Sequence, residues 1–328
     1  MEKKRNPNLD LLKLLACMAV VALHVFTFSY ENVLISYLHY ASGYAVPIFF
    51  MVNGYLILNK TRVDYPYVLK KILHIIIITG LWALLIFFAY LVLKREFMNP
   101  ILLLLESWIQ KGYLWQFWFM GAMMLTYLCA PVLHWIVHRF RKGYLVLTSG
   151  LLAMCLLVQL WILVTGESKT ESLIQTFHIW KWLFYFVLGG WMKELLTELS
   201  RRLPYSIHLI IAGVLFIGFP LYQTVIGNSL NCGSYYTDPA AILCNSMLFT
   251  AVMRFPCSEK KSQAIIDCSS LGMGCYILHP IFLNVINQKI DYRLFWIPFV
   301  LYPVILVVSM GITAVLKKWK YTRIFVDL

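Results

Sequence analysis

This sequence predicts an all-α fold, a polytopic integral membrane protein of about ten transmembrane helices with both termini cytoplasmic. Three observations carry the prediction. Of the 328 residues 61% are hydrophobic and only 13% charged, with a mean hydropathy of +0.73, a balance far from that of soluble domains. Apolar runs near the ~20 residues that span a bilayer recur along the whole chain, so residues 1–328 read as one membrane-embedded domain. The basic residues fall in short clusters between those runs. With the amino terminus inside, 20 of the 28 Lys and Arg face the cytoplasm, and six (Lys94, Arg95, Lys111, Lys169, Lys289 and Arg293) face outward, as the positive-inside rule requires.

In chain order the runs place spans at about residues 9–30, 41–59, 69–93, 114–135, 143–164, 178–195, 205–226, 239–255, 269–288 and 295–316. The first follows MEKKR, which resembles the head of a secretion signal. Lys13 interrupts its apolar stretch and no small-residue cleavage site follows His24, so this helix is expected to stay attached. Between the third and fourth spans, ILLLLESWIQ is too short to cross and carries Glu106, which predicts an interfacial or re-entrant helix on the outer side. Trp115 and Trp118 in YLWQFWF then fit an aromatic belt at the membrane boundary.

The formal charge of +13 follows topology, so nucleic-acid binding is not expected. Eight cysteines show no C-x-x-C spacing, and most lie in apolar runs as small hydrophobes; neither a disulfide framework nor a metal is expected. Serine-hydrolase, zinc-protease, phosphate-loop and dinucleotide signatures are absent from the sequence.

The first helix is the part that packing alone does not explain. At about 100° per residue, Asp10, Lys13, Cys17 and His24 fall at roughly 0°, 300°, 340° and 320°, within an arc of about 60°. Ionisable groups inside a membrane are costly and mark sites or pathways. A buried imidazole stays neutral and able to take a proton, so His24 is the leading catalytic candidate. Asp10 lies about 21 Å from it along the axis and cannot orient it directly. An i,i+3 ion pair explains Asp10 and Lys13 equally well at this stage.

Asp10-Leu-Leu-Lys13 with His24 eleven residues on, then VPIFFMVNGYLIL, LWQFWFMGAMMLTYLCAPVL, FYFVLGGWM and CSSLGMGCYILHPIFL, follow one another in an order that resembles the acyltransferase-3 family of bacterial membrane acyltransferases. The pieces run from residue 8 to about 284 and cover nearly the whole chain. More loosely, the chain resembles that family's short single-domain O-acetyltransferases acting on cell-envelope glycans. Lys13 stands where Arg is commoner and Asn53 where Ser is commoner, and a lysine suits a phosphate better than planar pairing.

The resemblance implies an acyl-CoA-dependent O-acetyltransferase of the bacterial plasma (inner) membrane, acting in polysaccharide modification. Acetyl-CoA would be the cytoplasmic donor, and a cell-envelope glycan or lipid-linked sugar the acceptor. His24, with Asp10 and Lys13, would form the catalytic set, His24 serving as general base or acyl relay. Lys13, Lys70, Lys71 and Arg62 would hold the cofactor's phosphates, its narrow arm rising along the face of the first helix. Cys17, Asn53, Trp115, Gln116, Trp118 and His279 are candidates for the substrate or channel lining. His279, before Pro280, is also explained as a side chain bonding a freed carbonyl. A transporter or flippase for an envelope precursor is the alternative, since a charged interior face serves translocation equally well.

Overall fold

The computed structural model describes residues 5–26, 32–165, 173–227, 235–287 and 294–327. Lys3, Lys4, Lys169, Lys289, Arg293 and residues 27–30 of the first expected span lie outside the described residues.

The chain runs through α1 (Pro7–Val25), α2 (Val33–Ser42), α3 (Ala45–Leu58), α4 (Tyr65–Leu93), α5 (Pro100–Trp108), α6 (Trp118–Arg139) and α7 (Arg141–Thr165). It continues with α8 (Ile179–Arg202), α9 (Tyr205–Tyr222), α10 (Pro239–Met253), α11 (Glu259–Ser269), α12 (Gly272–Asn287), α13 (Ile297–Leu316) and the short α14 (Lys320–Arg323). A 3-10 turn, Trp115–Phe117, leads into α6. Several starts are written locally. Asn6, Asp64, Asn99 and Asp238 each accept a backbone N–H of the first turn, and each is followed within two residues by proline. An acceptor at the cap satisfies a free donor, and proline there loses no helical bond.

Among the described residues seven helices are long and apolar enough to cross a membrane, α2–α3 counting as one, or eight if α11 and α12, bent by 44° at their junction, form one span. The expectation of about ten is therefore met only in part. The described residues of the ten apolar runs are mostly helical, but α8 carries six charged residues in its 24 and α10 has only 15 residues, about 22 Å against a core of roughly 30 Å. The segment ILLLLESWIQ forms α5, with Leu103 and Ser107 buried and Ile101, Leu102 and Leu105 exposed.

Burial sorts the helices into two shells. The spans of α1, α2–α3 and α6 are more than half buried, whereas those of α4, α7, α9 and α13 are buried over 33% or less. The outer four present Leu, Val, Ile and Phe outward, as lipid-facing helices do. Inside, α3 and α8 approach most closely, because Gly54 rests on the Phe186 backbone and Gly189 on the Met51 backbone. Small residues at such a crossing let two backbones meet. Phe50 stacks on Trp182 beside them, ring centres 5.1 Å apart.

Both ends of the chain meet at one end of the bundle. Asn8 Nδ2 donates to the carbonyls of Met253 and Phe255, and Lys317 Nζ donates to the Ser270 carbonyl and to Asp327. The carboxy-terminal segment then folds back on α4, where Trp82 Nε1 donates to the Phe325 carbonyl at 2.8 Å.

Candidate functional site

The polar face of α1 lies against α11 and α12. Ser269 Oγ donates to Asp10 at 3.5 Å, Cys17 Sγ to the Gly272 carbonyl at 3.4 Å, and His24 meets His279 at 2.9 Å. Residue numbers rise together on both sides, so α1 and α12 run parallel. The shared face is thus a packed seam. Cys17 is 2% exposed, packed between α1 and α12.

At the far end of the seam the hydrogen bonds decide a tautomer. The Cys275 carbonyl only accepts, so His279 Nδ1, 3.0 Å away, carries the proton. Neutral His279 then has an unprotonated Nε2, which accepts from His24 Nδ1–H at 2.9 Å. His24 Nε2 is left with its lone pair, which is what a general base needs. His279 bonds a helix carbonyl through Nδ1, that of Cys275, and meets His24 through its other nitrogen.

His24 lines a small, partly open cavity of about 40 Å³ with Val20, Leu23, Val46, Phe49, Gln116, Trp118, Phe119, Tyr236 and Tyr276. Trp115 stands edge-on to the His24 ring at 5.0 Å. Trp118 is 9% exposed and packs on Trp182. These two tryptophans turn inward rather than forming the boundary belt, because the 3-10 turn before α6 directs them at α1 and α8. Gln116 is 1% exposed; its Nε2 donates to the Ile277 carbonyl at 3.4 Å, and its backbone carbonyl accepts from Tyr276 OH.

The opposite end of the bundle holds the other candidates. Asp10 is gripped by Arg5 through two bonds of 2.9 and 3.0 Å and by Lys13 at 3.3 Å. The fork geometry makes Arg5 the principal partner, leaving most of the Lys13 donors unspent. Arg5 itself is pushed further up by the Asp10 hydrogen bond. Arg62 pairs with Asp64, the cap of α4, and Lys70 is exposed. Lys71 lies 5.7 Å from both the Tyr67 and Tyr127 rings, and Lys60 lies 4.2 Å from Tyr67.

A second line of contacts leads inward from there. Tyr127 OH donates to Asn53 Oδ1 at 2.7 Å, and Asn53 Nδ2 to the Phe49 carbonyl at 2.9 Å. Phe49 is on the cavity wall. This line of contacts runs from Lys71 through Tyr127 of α6 to Asn53 and Phe49 of α3, and Phe49 shares the cavity lining with His24. Sequence reasoning missed Tyr127, Tyr236, Tyr276 and Phe49 in these roles, and missed Arg5 as the holder of Asp10. Tyr276 and Tyr127 lie in segments quoted for their family pattern, but nothing local distinguishes a tyrosine that bonds a distant helix.

A family model described as an acyltransferase domain matches residues 6–318. The chain is similar to an amino-acid racemase of Enterococcus faecalis, 24% identical over 313 residues, which is 88% of this chain and 43% of that protein. It thus spans less than half the length of this curated relative. No solved structure matches.

Proposed function

The chain belongs to the acyltransferase-3 family, and from that membership we propose that it moves an acetyl group from cytoplasmic acetyl-CoA to a hydroxyl of a cell-envelope glycan or lipid-linked sugar, in the bacterial inner membrane. The observation that carries the reading is the Cys275–His279–His24 chain, which leaves an unprotonated Nε2 on the wall of an aromatic cavity. Aromatic faces beside a few polar groups suit a sugar ring.

In the reaction His24 Nε2 takes the proton of the acceptor hydroxyl while its oxygen forms a bond to the thioester carbonyl carbon. The tetrahedral intermediate then breaks its carbon–sulfur bond. The departing thiolate takes the proton back from His24, leaving an ester, free CoA and neutral His24. His279 acts as a positioning residue, accepting the Nδ1 proton of His24 throughout and stabilising the imidazolium that forms. Lys13, Lys70 and Lys71 serve the phosphate-bearing end of the donor, and its narrow arm follows the Lys71–Tyr127–Asn53 line toward Phe49. Arg62, already paired with Asp64, contributes field rather than a direct contact.

Calorimetric binding of acetyl-CoA to detergent-purified protein tests the assignment, run beside an assay of thiol release with a glycan acceptor. Lys13→Ala and Lys70→Ala/Lys71→Ala are expected to lose affinity, while His24→Ala binds normally and releases no thiol. Wild-type protein that does not bind acetyl-CoA refutes the donor. Absent thiol release with substrate flux intact in vesicles identifies a carrier instead.

A further inference from the structure

We propose that Gln116 selects the acceptor by holding a second hydroxyl beside the one that reacts, so that the acceptor is a carbohydrate with adjacent free hydroxyls. The proposal rests on the acyl-transfer reading and specifies its substrate.

It starts from an inventory of the cavity's polar atoms. His24 Nε2 is an acceptor, by the tautomer argument above. Gln116 Oε1 is another: it is buried and, among the described residues, without a donor. Which amide atom is free follows from the contact of the other one, since the Ile277 carbonyl can only accept and so must face Nε2. Tyr276 OH is committed to the Gln116 carbonyl. Tyr236 and Trp118 bring an O–H and an N–H to the lining residues, while Val20, Leu23, Val46, Phe49 and Phe119 supply only apolar surface.

A buried acceptor with no partner is unfavourable, and a ligand that fills this cavity is favoured if it brings O–H donors to both acceptors. A vicinal diol on a sugar ring does so: one hydroxyl loses its proton to His24, and its neighbour donates to Gln116. The aromatic walls take the ring's apolar face.

One helix sets both acceptors. From α12, His279 orients His24, while Ile277 holds the side chain of Gln116 and Tyr276 holds its backbone. The two acceptors are therefore fixed relative to each other before the acceptor arrives, which is the condition for choosing one hydroxyl among several.

The test supplies acetyl-CoA with methyl glycosides of glucose, galactose, mannose and N-acetylglucosamine, and with their monodeoxy analogues, and reads acetylated product by mass spectrometry. For wild-type protein, removing the hydroxyl next to the acetylated position is expected to lower kcat/KM about 10- to 100-fold, the range for an unpaired buried acceptor. In Gln116→Met the same removal is expected to change kcat/KM less than about threefold. A variant that is merely misfolded loses all substrates together and keeps the ratio, and the wild-type comparison needs no variant. Equal use of parent and deoxy glycosides by wild-type protein overturns the proposal and leaves acyl transfer standing. Transfer to none of the glycosides overturns the sugar-acceptor reading itself, and this proposal with it.

Discussion

Replacing Gly54 by alanine probes how packing at the centre of the bundle sets the site. A Cβ at this position falls 2.8 Å from the Phe186 carbonyl carbon and overlaps its oxygen, where ordinary contacts begin at 3.4 Å. The difference, 3.4 less 2.8, requires α3 and α8 to separate by at least 0.6 Å, and more to clear the oxygen. Both atoms belong to backbone, so no side-chain rotation relieves the clash. Overpacking of this kind costs about 1–3 kcal/mol. Val46 and Phe49 of α3 line the His24 cavity, so the same shift moves its wall, and misplacement of about 1 Å lowers rate by roughly 10²-fold. Gly150→Ala is the control, since nothing lies within 4 Å of the added Cβ. There the better helix former should be neutral or stabilising by up to about 1 kcal/mol. Thermal unfolding in detergent and thiol release from acetyl-CoA read both effects. An unfolding midpoint and rate for Gly54→Ala equal to those of Gly150→Ala would refute the close approach of α3 and α8.

His24→Ala should lower turnover about 10²- to 10⁴-fold, and His279→Leu about 10²-fold, each with acetyl-CoA affinity unchanged; activity of His279→Leu within threefold of wild type defeats the orienting role. Asp10→Asn, which breaks the Arg5 fork on a carboxylate whose side chain is 3% exposed, should destabilise by about 2 kcal/mol, whereas Lys13→Met, removing a half-exposed i,i+3 partner, should cost less than about 0.5 kcal/mol. Denaturation curves giving the reverse order would show Lys13 to be the main support of Asp10. Asp327 concerns pH. Burial pushes its carboxyl up, but hydrogen bonds from Lys317 and Arg323 outweigh this and hold it below the usual range. The stability it lends is therefore present above the unfolded value of about 3.9 and disappears as pH falls below it. Release of the carboxy-terminal segment to pepsin should rise over that acid range, and Asp327→Asn should show the same release at neutral pH to trypsin; protection that does not change in either case contradicts the contact.

Much of the fold was legible because a membrane constrains sequence so strongly. Apolar runs and basic clusters announced helices in the ten expected spans, and the polar stripe on α1 announced His24. Length and charge set two helices apart from the rest: α10 has only 15 residues and α8 carries six charges, and both bury many residues against their neighbours. That distinction depends on what surrounds a helix, which hydropathy does not encode.

The site was less legible than the fold, for a related reason. Composition and periodicity by themselves determined a helical membrane protein whose first helix carries His24, Asp10 and Lys13 on one face. Only the tertiary structure decided what that face meets. Parallel packing of α1 on α12 brings together His24 and His279, 255 residues apart in the chain, and buries Cys17 between helices, while the turn before α6 places Gln116 and Trp118 at the cavity and Trp115 against the His24 ring. Helix periodicity specifies direction around an axis, whereas a hydrogen bond between two helices depends on their relative rotation and height. Those are set by side chains such as Gly54 and Gly189, whose lack of a Cβ matters only where another backbone arrives.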